Sequence, residues 1–275
     1  MLYPLPFLTR LGENLQRVNT RASKYLKTPN AKQIHDIRTA IRRLDATYLI
    51  LPKKNRSGSS LSDYVLKCKQ FFKLNSEIRD LDIIYEKLQK YPSNAQRNSV
   101  MQALKVSRNT NLQRAKTIAR SLKSTDTAKL IDRIGVTEKE LQKRYEKMIS
   151  KFISEIESTF PAVLTNPSQL EELHDLRISC KKLRYLLELL PEASNNILKI
   201  RKTLQKLQDI LGTIHDYDFT IEYLGSLGQL SIEIQEIITI EKEERNAKYD
   251  DFLRFCKRRL DISEDSFLIM MKSLK

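Results

Sequence analysis

The sequence has few of the residues that build tight turns, disulfide frameworks or metal sites. Its 275 residues include six glycines, three cysteines and no tryptophan. So little glycine, with 30% charged residues, is typical of a helical chain and leaves no glycine-rich loop for binding phosphate. The cysteines, Cys68, Cys180 and Cys256, are widely spaced and form no C-x-x-C pair, which argues against a disulfide framework and a structural metal.

Long apolar runs and targeting signals are also missing. No run of 18 apolar residues occurs, so no membrane-spanning helix is expected. The first residues, MLYPLPFLTRLGENLQ, have no basic segment before their short apolar stretch and no small-residue cleavage site. We therefore expect a cytoplasmic protein without a leader peptide.

Acidic residues are too few to balance the basic ones. The chain holds 49 Lys and Arg against 34 Asp and Glu, for a net charge of +15. Residues 1–136 contain 27 basic and 10 acidic residues (+17), whereas residues 137–275 contain 22 and 24 (−2). Because a strongly basic surface attracts polyanions, the composition predicts a polyanionic partner.

Two pairs of similar segments follow one another in the chain. IHDIRTAIRRLDATYLILP at 34–52 aligns with LHDLRISCKKLRYLLELLP at 173–191. NSEIRDLDIIYEKL at 75–88 likewise aligns with LGTIHDYDFTIEYL at 211–224. Their common order predicts an internal duplication, with one repeat in residues 1–136 and the other in residues 137–275.

Prolines and polar clusters divide each repeat into four helical patterns, and no segment alternates with period two. These patterns predict an all-α protein made of two antiparallel four-helix bundles related by a pseudo-two-fold axis. A last amphipathic fragment, Ser263 to Leu274, predicts a short ninth helix. The eight longer patterns cover residues 5–27, 31–51, 60–91, 94–125, 137–160, 168–190, 194–225 and 230–260.

The second helix of each repeat carries a basic stripe beside its apolar face. With His35 at 0°, Arg38 falls at about 300° and Arg42 at about 340°, next to apolar positions at about 160° to 240°. Arginine offers a planar fork of donors that matches phosphate oxygens, so stacked cations suit a linear string of phosphates. The alternatives are pairing with buried acids, or long basic stems that only cover the core. The second repeat has the same stripe in His174, Arg177, Lys181 and Arg184.

The third helix of each repeat supplies further candidates. Arg79 and His215 occupy equivalent positions, and Asp82 and Asp218 follow three residues later, so an intrahelical ion pair is the alternative to ligand binding. Lysines on these helices and basic residues of the fourth helix are secondary candidates, with a solvated face as the alternative. They are Lys69, Lys73, Lys202 and Lys206, and on the fourth helix Lys105, Arg108 and Arg114.

The sequence resembles the CHAD family, the conserved histidine α-helical domain. The resemblance lies in the repeated helix with the motif His-Asp-hydrophobic-Arg and in the Leu-Gly-x-x-basic-Asp-x-Asp segment that follows it. The likeness covers essentially the whole chain. It implies two four-helix bundles around a central basic channel that binds inorganic polyphosphate, without a cofactor and without catalysis. Many family members carry a triphosphate-tunnel enzyme domain ahead of CHAD, and 275 residues leave no room for one, so we expect a stand-alone binding module, associated with polyphosphate granules. The resemblance places His35, Arg38, Arg42, Arg79, His174, Arg177 and Lys181 at the channel, and we group Arg184 and His215 with them.

Three residues depart from the family pattern. Ser76 replaces the family's glycine, and Asp45 stands where the second repeat has Arg184. His215 stands where the family usually has arginine. We therefore expect the second repeat to bind more weakly, or to bind in a pH-dependent way if His215 titrates near neutrality.

Other functions fit the sequence less well than polyphosphate binding. All three histidines precede an aspartate, as in HD-type metal phosphohydrolases, but Asp36 and Asp175 project about 100° away from their histidines on a helix. Each of these histidines has arginine, not a further ligand, one turn later, so we expect no metal site. No Walker loop or nucleophile elbow occurs, and we expect no enzymatic activity.

Two non-catalytic alternatives remain, a nucleic-acid-binding basic helical protein and a protein-interaction scaffold. The repeated stripe has few Asn or Gln side chains to read bases and no aromatic platform for single strands, so polyphosphate is the predicted ligand. The oligomeric state is not predicted.

Overall fold

Long helices make up almost all of the chain. The computed structural model describes residues 2–132, 134–190, 194–259, 271 and 274. No strand occurs among these residues, and the predicted all-α class is confirmed. The predicted helix at 263–274 lies outside the described residues, apart from residues 271 and 274. The helices are α1 (Pro4–Lys27), α2 (Ala31–Ile50), α3 (Lys53–Arg56), α4 (Ser60–Leu88), α5 (Ala95–Lys123), α6 (Glu138–Thr165), α7 (Leu170–Leu187), α8 (Asn195–Gly225) and α9 (Ile232–Arg259).

Side-chain caps define where several of these helices begin. Asn30 accepts a hydrogen bond from the backbone N–H of Gln33 at 3.0 Å, and Asn94 accepts one from Arg97 at 2.8 Å. Such caps satisfy N–H groups that have no partner inside the helix. The short helix α3, which follows Pro52, was not predicted.

Helix α6 continues through Pro161, whereas the sequence predicted an end at residue 160. Proline removes one backbone N–H from a helix and normally interrupts it. Here Phe160 and Val163 are buried on either side of the proline. The Tyr249 hydroxyl of α9 also donates to the Val163 carbonyl at 2.6 Å, so tertiary packing holds the helix through this turn.

The chain forms two compact units, Met1–Tyr145 (unit 1) and Glu146–Lys275 (unit 2). In unit 1, α1 packs on α2 and α5, and α4 packs on the same two helices, so the four form a bundle. Its centre includes Tyr25 and Phe71, whose rings meet edge to face at 5.0 Å. The predicted repeat boundary at 136/137 precedes α6, whereas the boundary between the units lies inside that helix.

Unit 2 is built on the contacts of α8 with α7 and α9. Helix α6 joins α7 through Ser179, whose hydroxyl donates to Glu155 at 2.7 Å, and joins α9 through Tyr249. The internal duplication itself stays a prediction. No described helix has the length and apolar content that crossing a bilayer requires.

Candidate anion-binding surfaces

The predicted stripe of unit 1 lies on α2 beside the buried face of that helix. Ile34, Ile37 and Ile41 are buried, His35 is exposed, and Arg38 and Arg42 are half-buried. Both arginines therefore pack partly into the bundle, and the Nε atom of Arg38 is itself buried. We call Arg38 and Arg42, with His35, the α2 stripe.

Both arginines of the α2 stripe lie against one aromatic ring of α4. The guanidinium carbons of Arg38 and Arg42 are 5.6 Å and 5.1 Å from the centroid of Phe72. A cation over a ring is attracted by the electrons of its face, which fixes the side chain without neutralising its charge. Arg42 forms no ion pair with any carboxylate in the described part of the chain. The ring thus holds two positive groups close together on this surface.

In unit 2 the corresponding cluster joins α7 to α8. The imidazole rings of His174 and His215 lie 5.2 Å apart between centroids, and Phe219 lies 6.4 Å from His215. Arg177 and Lys181 are half-buried on the same side of α7 as His174. We call His174, Arg177, Lys181 and His215 the α7–α8 cluster.

The charge of this cluster acts on His174. Burial lowers the pKa of His174, and the positive charges of Arg177 and Lys181 lower it further, against the weaker opposite effect of Asp175. The imidazole therefore lies in a positive potential that favours its neutral form. A bound anion would reverse this preference.

Arg79 takes a different partner from the one that the sequence suggested. Its guanidinium donates to both carboxylate oxygens of Glu86, at 3.1 Å and 3.3 Å. Asp82 instead accepts from Nε of Arg108 in α5 at 2.6 Å. Asp82 thus pairs with Arg108 of a neighbouring helix and not with Arg79. The side chain of Arg79 is half-buried and lies along α4 toward Glu86.

The same ion pair occurs in both units, and sequence reasoning missed it. In unit 2, Arg245 of α9 donates from Nε to Asp218 of α8 at 2.8 Å, as Arg108 does to Asp82 in unit 1. Arg245 also donates to the Pro167 carbonyl at 2.7 Å, and only 7% of its side chain is exposed. Burial raises the pKa of Asp218 by more than the bond to Arg245 lowers it. Arg108 follows Asp82 by 26 residues and Arg245 follows Asp218 by 27, so the offset that aligns the Asp-x-Asp segments does not align the two arginines, and no sequence signal identified the pair.

Arg184 is engaged within unit 2. Its Nε donates to Gln208 at 3.2 Å, a terminal nitrogen donates to Glu188 at 2.9 Å, and its guanidinium lies 4.3 Å from the Tyr185 ring centroid. Gln208 in turn donates to the Cys180 carbonyl at 3.3 Å. The charge of Arg184 is thus largely compensated inside the unit, unlike that of Arg42.

The four secondary lysines, Lys69, Lys73, Lys202 and Lys206, are all exposed. Lys69 of α4 lies 3.4 Å from Asp45 of α2. Lys206 lines a surface cavity of about 440 Å³ with Arg254 and Arg258. At the offset that aligns the Asp-x-Asp segments, Lys202 and Lys206 correspond to Leu66 and Gln70, so these lysines do not repeat.

The residues considered for catalysis have other surroundings. Asp36 accepts an ion-paired hydrogen bond from Arg21 at 2.7 Å. Among the described residues, no group of three His, Cys, Asp or Glu side chains is placed to hold a metal ion. The three cysteines are buried free thiols, and burial raises the pKa of Cys256 to about 12. Thiols of this kind react poorly because little thiolate is present.

A comparison with known families identifies the fold that presents these surfaces. The CHAD domain matches residues 9–225, which is more than half of the chain. The chain belongs to the CHAD family. The CHAD match begins within α1 and ends at the last residue of α8, so the helix α9 that supplies Arg245 lies beyond it.

Solved structures have the same CHAD fold. The crystal structure of the CHAD domain from the plant Ricinus communis is 16% identical in sequence, with a TM-score of 0.62, over 90% of this chain and 89% of that one. PptA from Streptomyces chartreusis is 11% identical, with a TM-score of 0.65, over 94% of this chain and 98% of that one. At these identities the likeness shows the fold alone. None of the curated proteins matched the chain.

Proposed function

We propose that this chain binds inorganic polyphosphate through the α2 stripe and the α7–α8 cluster, and that it does so without catalysis. The CHAD family is linked to polyphosphate. The observation that carries the proposal is the position of Arg38 and Arg42 over Phe72, which gathers two positive charges on the surface of unit 1. The central channel that the resemblance implies stays a prediction.

The α2 stripe offers a chain of phosphates two charged donor groups on one side of a helix. Arg38 and Arg42 are four residues apart, which is a rise of about 6 Å along α2. Each guanidinium offers parallel N–H donors to the oxygens of a phosphate group. A hydrogen bond to a charged group contributes about 1.5 to 3 kcal/mol, so several together support micromolar affinity after the ordering of a flexible chain.

The α7–α8 cluster contributes through cations and imidazoles. Arg177 and Lys181 supply fixed charge, and a phosphate beside His174 would favour its protonated form, which has two N–H donors. Phosphate binding at this cluster is therefore coupled to proton uptake. The arginines of the α2 stripe stay protonated, so phosphate binding at these two residues takes up no proton.

Ligand specificity is the first test. Polyphosphate, duplex DNA and single-stranded DNA of matched charge are titrated into the protein at two salt concentrations, together with the variant Arg38→Gln/Arg177→Gln. The control is Lys32→Gln/Lys182→Gln, which removes the same charge from exposed positions on the same two helices. We expect polyphosphate binding to survive the higher salt, to fall about tenfold or more in the stripe variant and to change little in the control. Equal losses of polyphosphate affinity in both variants would contradict the proposal. Equal affinity for all three polyanions, reduced equally by the stripe variant, would also contradict it.

The absence of catalysis has its own test. Polyphosphate incubated with the protein and with divalent metal ions should keep its chain length on a gel and release no phosphate. Metal-dependent phosphate release that is lost on replacing Asp36 or Asp175 would instead support hydrolysis.

A further inference from the structure

Helix α5 concentrates the basic charge of unit 1. Its 29 residues include seven Lys or Arg and no acidic residue, and no Asp or Glu occurs between Glu86 and Asp126. Helix α9, the fourth helix of the second predicted repeat, has seven basic and seven acidic residues. These two helices therefore account for 7 of the 19 charges by which residues 1–136 (+17) and residues 137–275 (−2) differ.

The fold uses some of these cations. Arg97 donates from Nε to the Leu88 carbonyl at 2.7 Å, and Arg108 pairs with Asp82. Lys105 lies 5.2 Å from the ring centroid of Tyr85. The remaining four make no ion pair with a described carboxylate, and all but the half-buried Lys116 are exposed. These four are Arg114, Lys116, Arg120 and Lys123.

Three of the four line a surface cleft between α5 and α1. Lys116, Arg120 and Lys123 surround a cavity of about 500 Å³ with Leu26 and Ser124. No acidic residue lines this cavity. On α5 the three cations fall within an arc of about 60°, so their charges act on the same volume. An anionic group in the cleft would relieve their mutual repulsion.

Uncharged polar side chains continue the exposed face of α5 mainly on the N-terminal side of the four cations, where Val106 is also exposed. Amide and hydroxyl groups of this kind, with Arg and Lys, make most protein hydrogen bonds to the phosphates and sugars of DNA. Helix α5 contains no aromatic residue on which the bases of a single strand could stack. This composition therefore favours a duplex over a single strand. The exposed uncharged polar residues of α5 are Asn98, Ser99, Gln102, Ser107, Asn109, Thr110, Gln113 and Thr117.

We propose that the outer face of α5 binds the sugar-phosphate backbone of duplex DNA, independently of sequence and separately from the α2 stripe. The four cations lie within ten residues, a rise of about 14 Å along α5, so they contact neighbouring phosphates within one turn of duplex, which is about 34 to 36 Å long. Phosphates bind in the cleft at Lys116, Arg120 and Lys123, and Arg114, about 160° around the helix from Lys116, contacts the backbone from the other side of the exposed face. The side-chain amides of Gln102, Asn109 and Gln113 donate to phosphate and sugar oxygens on the N-terminal side of these cations.

The test compares equal losses of charge on α5 and α9. A short labelled DNA duplex is titrated into Arg114→Gln/Arg120→Gln/Lys123→Gln and into the control Lys242→Gln/Lys257→Gln/Arg258→Gln over a range of salt. The control residues are exposed on α9. We expect the α5 variant to lose about tenfold or more in affinity, and the slope of log affinity against log salt to fall by about 2 to 3. The α9 control should keep both quantities close to those of the original protein.

Several outcomes would overturn this proposal. Equal losses in the two variants would mean that only net charge matters, and unaltered duplex binding in the α5 variant would place the contact elsewhere. Binding of phosphatidylserine vesicles through α5, without duplex binding, would mean that the face recognises a membrane. Circular dichroism of each variant checks that the helices remain folded.

The two proposals fail independently. Arg38→Gln/Arg42→Gln should weaken polyphosphate binding and leave duplex binding in place, whereas the α5 variant should do the reverse. If the α5 variant keeps its affinity for duplex DNA, only the proposal for α5 is contradicted. If the stripe variant keeps its affinity for polyphosphate, only the polyphosphate proposal is contradicted.

Discussion

The imidazole rings of His174 and His215 lie 5.2 Å apart and connect α7 to α8 within unit 2. Burial lowers the pKa of His174, and Arg177 and Lys181 add to this effect. The unfolded chain consequently binds more protons at this residue below about pH 6.5. Its contribution to stability is full above that pH and is lost as the pH falls through the lower pKa of the folded state.

Polyphosphate should bind more tightly at pH 6 than at pH 8. A phosphate beside His174 raises the pKa of the imidazole, so binding takes up a proton. Calorimetry in buffers of different ionisation enthalpy measures this uptake directly. In His174→Gln the uptake should decrease, whereas Lys32→Gln, at an exposed position on α2 outside the stripe, serves as the control. An unchanged pH dependence in His174→Gln would contradict the role given to this residue.

Replacing Phe72 with leucine should weaken polyphosphate binding without unfolding unit 1. The ring holds Arg38 and Arg42 at 5.6 Å and 5.1 Å, and each cation–ring contact is worth about 0.5 to 1 kcal/mol. Their loss corresponds to a decrease in affinity of roughly 5- to 30-fold if both contacts preorganise the site. The matched control is Tyr85→Leu, which removes another ring of α4, the one beside Lys105 of α5. Equal affinities of the two variants would show that the Phe72 ring does not organise the site.

Arg184→Gln should affect stability more than polyphosphate affinity. Arg184 is bonded to Gln208 and Glu188, so its replacement removes internal hydrogen bonds before it removes any contact with a ligand. Arg177→Gln should do the opposite. Urea unfolding and polyphosphate titration of both variants decide between the roles. A larger loss of affinity in Arg184→Gln than in Arg177→Gln would place Arg184 at the ligand.

Arg245→Met should destabilise unit 2 strongly. The substitution leaves the Asp218 carboxylate, 17% exposed, without its ion-pair partner from α9, and the Pro167 carbonyl without its donor. Breaking a buried pair in this way costs about 3 to 5 kcal/mol. Denaturant unfolding followed by circular dichroism measures the loss. The control Arg254→Met, at the exposed pair with Asp251, should change the midpoint little. Similar midpoints for both variants would show that the Asp218 pair contributes no more than a surface pair.

The helical architecture could be predicted from the sequence because its signals are local. Caps such as Asn30 and Asn94, and the breaks at Pro52 and Gly225, lie in the chain next to the helix ends that they define. The end predicted before Pro161 was wrong because Phe160, Val163 and Tyr249 stabilise the helix through tertiary packing.

The partners of the charged side chains could not be predicted in the same way. The angular position of Arg38 and Arg42 on α2 is a property of one helix, but the ring of Phe72 beneath them comes from another. Arg108 looked like a surface cation in the sequence, and only the packing of α5 against α4 shows that it pairs with Asp82. Spacing within one helix therefore identifies candidates, and contacts between helices separate the structural cations from those available to a ligand.

The most direct test of polyphosphate binding is calorimetric titration with long-chain polyphosphate at physiological ionic strength. It compares the original protein with Arg38→Gln/Arg42→Gln, Arg177→Gln/Lys181→Gln and the combination of all four substitutions. We predict a loss of affinity of about tenfold or more in each pair and a larger loss in the combination, with Lys32→Gln/Lys182→Gln close to the original protein. Equal affinity of all five proteins would contradict the assignment of polyphosphate binding to the α2 stripe and the α7–α8 cluster.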